Sequence, residues 1–190
     1  MPGIIIAVAL GLGLAAAAGF RVFVPLLAIG IAAKVGYLHL ADSFNWLGST
    51  PALLALGVAT VLEVVAYYMP WLDHALDVVA TPAAMAAGMV ASASVLTDMP
   101  PAVQWLVPII GGGGIAGLVQ GATVLTRIKS TALTGGLANP VISTGELVGA
   151  IATVSLALFV PVVALLLCVL GCFLIFRASG RFLFGRRHAT

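Results

Sequence analysis

Seven apolar stretches fill this chain between residues 3 and 176, each 16–23 residues long and each carrying at most one charged side chain. They fall at 3–19, 22–37, 51–69, 80–96, 104–126, 140–160 and 161–176. A helix that crosses the hydrocarbon core of a bilayer needs about 20 such residues, with a workable range of about 17–25. The pattern therefore predicts an all-α, polytopic transmembrane bundle of about seven spans, with residues 1–190 forming one domain. Only 7% of the residues are charged, where a soluble domain carries about 25%. With 62% hydrophobic residues and a mean hydropathy of +1.22, a water-soluble enzyme, a nucleic-acid binder and a disordered chain are all excluded.

Two cuts are less obvious than the others. Residues 3–19 and 22–37 are separated only by Phe20-Arg21, and as one helix they would reach about 50 Å at ~1.5 Å per residue, too long for a single crossing. They must be two passes or one sharply broken pass. At Phe159-Val160-Pro161 no polar residue marks a turn, and length alone forces one. The apolar N-terminus lacks the positive region of a secretory signal and reads as a retained first span. Cys168 and Cys172 lie four apart with no further ligand nearby, which suits packing better than metal or redox chemistry.

Positive charge sets the expected orientation. Alternating passes that start outside put Arg21, Arg127, Lys129, Arg177, Arg181, Arg186 and Arg187 on the cytoplasmic side and leave Lys34 outside. Residues 178–190 then form a basic cytoplasmic tail suited to anionic headgroups. Tyr37, Trp46 and Trp105 fall near the outer interface, and Tyr67, Tyr68 and Trp71 near the inner one.

Pro51, Glu63 and Pro70 mark one span, and Pro140, Glu146 and Pro161 mark another that runs the opposite way. This spacing suggests one extra helix followed by two inverted three-helix units, 22–96 and 104–177, as in many secondary transporters. Proline is also common at helix starts for reasons unconnected with repetition. Gly113, Gly117 and Gly121, and Gly145 with Gly149, have the four-residue spacing that lets helices approach closely, within one chain or between subunits of a homo-oligomer. The glycine run at 111–114 also predicts a local break.

Charges inside such spans are functional candidates. Counted along the apolar segments, Glu63 lies about 10 Å and Glu146 about 9 Å from the same side. Each joins a polar stripe, Thr60, Glu63 and Tyr67 on one helix and Asn139, Ser143, Glu146 and Thr153 on the other, and Gln120, Thr123 and Arg127 make a third. Asp73 and Asp77 share a face at the same boundary, with His74 beside them, and Arg21 arrives there too. The expected ligand- or ion-binding set is Arg21, Glu63, Asp73, Asp77, Arg127, Asn139 and Glu146, with Asp73, His74 and Asp77 as candidate metal ligands. The plainer account is that Asp and Arg at helix ends are wet or neutralise one another, and it suits Asp77 and Lys129 better than the two glutamates.

The blocks Gly19-Phe20-Arg21-Val22-Phe23-Val24-Pro25-Leu26-Leu27-Ala28, Ser49-Thr50-Pro51, Leu62-Glu63, Pro70-Trp71-Leu72-Asp73, Leu76-Asp77, Thr126-Arg127 and Asn139-Pro140 resemble a widespread bacterial integral-membrane family known only as domain-of-unknown-function family 4126. The resemblance covers nearly the whole chain. It departs at Ala66-Tyr67-Tyr68-Met69-Pro70, where the family pattern is more charged. The resemblance implies a polytopic inner-membrane protein and supplies no reaction.

Three functions fit. The leading one is a small transporter or permeation protein for a cation, proton or small solute, in which Glu63 and Glu146 bind the cargo, the arginines tune them and Asn139 offers a neutral ligand. It needs no cofactor beyond a bound cation. The second is an intramembrane enzyme acting on a lipid headgroup, with a divalent metal at Asp73, His74 and Asp77 and with Glu63 as an optional further ligand. The third is a scaffold whose charges fix helix registry.

Overall fold

The structure is a computed structural model that describes residues 2–97 and 99–184, with side chains for 3–69, 78–97, 99–174 and 177. Trp71, Asp73, His74 and Asp77 therefore contribute only backbone, and the tail beyond residue 184 lies outside the described residues. Among those residues the fold is all-α: α1 (Pro2–Ala18), α2 (Phe23–Lys34), a 3-10 segment (Asp42–Gly48), α3 (Thr50–Ala66), α4 (Pro70–Ser94), α5 (Pro101–Leu106), a π-helical stretch (Val107–Gly112), α6 (Gly113–Thr134), α7 (Asn139–Phe159) and α8 (Pro161–Phe184).

Local chemistry explains most of these boundaries. Prolines occupy the first turns of α3, α4, α5 and α7, where a missing N–H costs nothing. The Ser49 hydroxyl caps α3 by accepting from the Ala52 N–H at 3.3 Å. Gly135, at φ 63°, ends α6 in the left-handed conformation that favours glycine. The glycine run expected to break the fifth segment instead loosens it into a π-helical stretch, Val107–Gly112, which leads into α6.

Two helices outgrow their apolar segments. The expected span at 80–96 begins ten residues earlier, at Pro70, and continues through Pro82. The one at 104–126 becomes an array from Pro101 to Thr134, which carries Arg127 and Lys129 inside a helix. Hydrophobicity marks what a bilayer tolerates, whereas helix ends are set by caps and glycines. Two described helices, Pro101–Thr134 and Asn139–Phe159, are long and apolar enough to cross a membrane, and a third crossing results if the 3-10 segment and α3, bent by 66°, count as one. The remaining apolar helices, Gly3–Ala18, Phe23–Lys34, Val78–Ser94 and Pro161–Leu174, are shorter.

Contacts fix the direction of each helix. Gly13 of α1 abuts Ala157 of α7, and the Tyr37 hydroxyl just past α2 donates to the Leu158 carbonyl at 3.2 Å, whereas Arg21 between them reaches Ser143. The first two helices are thus the arms of a hairpin with Arg21 at its apex. Lys34 donates to Thr50 while Val22 donates to Glu63, so α3 runs back along α2. Gly88 of α4 meets Gly112 while Met85 meets Gly117, so α4 opposes α6. Arg127 pairs with Glu146 and Thr131 with Asn139, so α6 opposes α7. Beyond Val160, α8 folds back until Ala164 also meets Gly13.

The Ala-rich α1 is the central helix, packed against α4, α6, α7 and α8, with Leu14, Ala15, Ala17 and Ala18 fully buried. Small residues make that possible. A Cβ on Gly19 would lie 2.6 Å from the Ala116 carbonyl oxygen, and one on Gly88 would lie 2.7 Å from the Gly112 carbonyl oxygen. Of the glycines singled out by spacing, Gly113 and Gly117 face Met89 and Met85 within the chain, Gly149 faces Phe20, and Gly121 and Gly145 face open space.

Candidate functional site

The alternating directions carry the scattered polar residues to one end of the bundle. Arg21 is there because the hairpin turns at Phe20-Arg21, and Arg127 and Glu146 because α6 and α7 run past that turn. All three are buried, at 1%, 3% and 6% exposure. In the low dielectric of such a site an unpaired charge is costly, so the pairing decides what the cluster can do.

Glu146 is the hub. Arg127 donates from Nε to Oε1 at 3.0 Å and from Nη2 to Oε2, a two-point grip that matches the fork of a guanidinium to a carboxylate. Arg21 approaches Oε2 at 3.4 Å with Nη2, which also donates to the Ser143 carbonyl at 2.8 Å and hydroxyl at 2.9 Å. Both guanidiniums lie over the Tyr67 ring, with Cζ 4.2 Å from its centroid for Arg21 and 3.9 Å for Arg127. The negative face of the ring eases the proximity of two cations.

Glu63 has a different role from the one its depth suggested. Its Oε1 accepts from the Val22 N–H at 2.7 Å and its Oε2 from the Phe23 N–H at 3.2 Å, so the carboxylate caps the start of α2 from a neighbouring helix. It also lies nearer its own helix end than expected, because α3 stops at Ala66 and residues 67–69 form a turn. Asn139 opens α7 and donates from Nδ2 to the Thr131 hydroxyl at 3.1 Å, joining α6 to α7. Of the third stripe, Gln120 and Thr123 are buried along with Arg127.

Five of the seven expected binding residues are thus described with their side chains, and four of them, Arg21, Glu63, Arg127 and Glu146, converge on one cluster with balanced charge. The other two, Asp73 and Asp77, and with them the metal candidate His74, lie outside the described side chains. Among the described residues no three His, Cys, Asp or Glu side chains gather to hold a metal. Tyr67 and Ser143 stand on the polar stripes that helical spacing marks, four residues after Glu63 and three before Glu146, and the structure adds them to the binding set as contacts of the two arginines.

A cavity of about 410 Å³ opens beside the cluster, between α6, α7 and α8 and floored by Ala16 of α1 and Phe20 of the turn that follows it. Glu146, Thr123, Thr126 and Thr153 supply its polar groups, and Cys168 and Cys172 stand in the opposite, α8 wall. Both thiols are free.

A family model described as a domain of unknown function (DUF4126) matches residues 8–181. No curated protein and no solved structure matches the chain.

Proposed function

The chain belongs to the DUF4126 family, and from that premise we propose that it is a seven-span membrane protein whose buried cluster serves a transport or permeation pathway for a proton, cation or small solute. The reading places it in a bacterial cytoplasmic membrane, N-terminus outside and C-terminus inside, in keeping with the bias of Lys and Arg. The single observation that carries it is the double position of Glu146, which belongs both to the arginine cluster and to the wall of the 410 Å³ cavity. A carboxylate so placed can exchange partners. Protonating it, or engaging it with cargo, removes the counter-charge from Arg127 and Arg21, and that imbalance drives rearrangement of α6 against α7.

In this reading Glu63 is a structural cap and Glu146 the working group. The convergence of the two glutamates on one end is in keeping with inverted units 22–96 and 104–177. The test is flux in proteoliposomes under an imposed pH gradient. Glu146→Gln abolishes it, and Glu63→Gln retains it in protein that remains folded. Unchanged flux in Glu146→Gln overturns the reading.

One observation favours a second reading, a scaffold. Every described carboxylate of the cluster already has protein partners, Glu63 on α2 and Glu146 on two arginines. On that account Glu146→Gln changes stability and no solute flux exists in the wild type.

A further inference from the structure

The cavity has a chemical polarity that narrows what it accepts. Measured along α7 from Ile142 to Leu156, its walls extend about 21 Å at ~1.5 Å per residue. The lining is apolar over most of that length: the cavity's one charged group, Glu146, lies near the Ile142 end with the Thr126 and Thr123 hydroxyls beyond it, and Thr153 is the single hydroxyl toward the Leu156 end. The hydroxyl hydrogens of Thr123 and Thr126 are committed to the carbonyls of Gln120 and Ala122, at 2.9 and 2.8 Å. These two hydroxyls and the carboxylate therefore present lone pairs to the cavity. An occupant satisfies them only by donating hydrogen bonds.

Charge narrows the choice further. An acidic head meets Glu146, and a cationic head meets Arg127 and Arg21 immediately behind it, so either repels a like charge in a poorly screened site. A neutral head avoids both costs. The volume falls within the ~300–1,000 Å³ range of small-molecule pockets, most of which are apolar with a few placed polar groups. Resting on the transport reading above, we infer that the substrate class is an uncharged amphiphile with a long apolar body and a hydrogen-bond-donating head of the alcohol type. It lies along α8 with its hydroxyl at Glu146.

The experiment uses the full chain in lipid nanodiscs and a photoactivatable long-chain alcohol, with labelled peptides mapped by mass spectrometry. Labelling concentrates on 164–172 of α8 and on α7 near Thr153, and excess dodecanol suppresses it about tenfold more effectively than dodecane, dodecanoate or dodecylamine, roughly the worth of one hydrogen bond to a charged group. Gly171→Phe fills the cavity without a clash, since a Cβ there meets nothing within 4 Å, and it abolishes the α8 labelling. Glu146→Gln removes the preference for alcohol over alkane. Labelling spread equally over the outward face of α3, at Val58 and Val61, or competed equally by dodecane, shows bulk lipid only and overturns the inference. Selective labelling in a protein without flux keeps the site and refutes transport; gradient-driven flux without selective labelling does the reverse.

Discussion

Glu63 and Val22 are forty-one residues apart, yet the carboxylate of one accepts the backbone N–H of the other at 2.7 Å. The adjoining Phe23 N–H goes to the second oxygen. One side chain thus satisfies the donors at the start of α2, which have no partner within their own helix. The turn at Arg21 is held in place from α3, and with it the position of the guanidinium over Tyr67.

That relationship predicts a graded response to substitution. Glu63→Ala leaves two part-buried N–H groups unpaired and costs about 2–6 kcal/mol, on the scale of about 1–3 kcal/mol for each unsatisfied group. Glu63→Gln keeps one acceptor oxygen and costs about half as much. Thermal unfolding in detergent, followed by helical circular dichroism, measures both; equal losses for the two variants would show that the cap is unimportant.

Arg127 and Glu146 form a pair whose single losses exceed the joint loss. Arg127→Met or Glu146→Leu alone strands a buried charge and destabilises by about 3–5 kcal/mol. The double variant recovers part of that, because no charge of the pair is left behind, although Arg21 then lacks its nearest carboxylate. A double-mutant cycle in denaturant reads the coupling, and additive losses contradict the pairing.

Tyr67 acts through its ring. Replacement by Phe keeps the aromatic face for Arg21 and Arg127, whereas Leu removes it and adds a loss of about 1–4 kcal/mol, from two contacts each worth ~0.5–2 kcal/mol. Unfolding midpoints of the two variants against wild type separate ring from hydroxyl. If Phe is as harmful as Leu, the hydroxyl is what matters.

The glycines divide into two groups. Gly88→Val and Gly112→Val force α4 and α6 apart, since each Cβ would meet the other glycine's carbonyl oxygen at 2.7 Å, and each destabilises by about 1–3 kcal/mol or more. Gly121→Val and Gly145→Val point into open space and leave the monomer's stability unchanged. Native mass spectrometry of the second pair then tests whether those faces assemble subunits: a lowered oligomeric state supports such an interface, and an unchanged one refutes it.

Much of this fold was legible in one dimension. The apolar segments located the helices, because a stretch that cannot face water must satisfy its backbone internally. The prolines at 51 and 140 marked true starts and Phe20-Arg21 and Val160 true turns, whereas Pro70, which closes the third apolar segment, also opens α4. Segment ends were less legible, since α4 and α6 continue well into polar sequence wherever no cap or glycine stops them. Spacing drew attention to Gly113 and Gly117, yet the closest backbone approaches lie at Gly19, Gly30, Gly88 and Gly112, because contact depends on which segment is opposite.

The same division governs the site. The sequence alone determined that Arg21, Glu63, Arg127 and Glu146 are too costly to bury singly and that they fall at one end of alternating helices. It could not assign partners. Only the tertiary structure decided that Glu146 takes both arginines, that Glu63 turns to the backbone of α2, and that Tyr67 lies beneath two guanidiniums. The physical reason is range: hydrophobic periodicity is written along a helix every few residues, whereas which carboxylate meets the arginines and which meets backbone depends on the packing of α1, α3, α6 and α7 together.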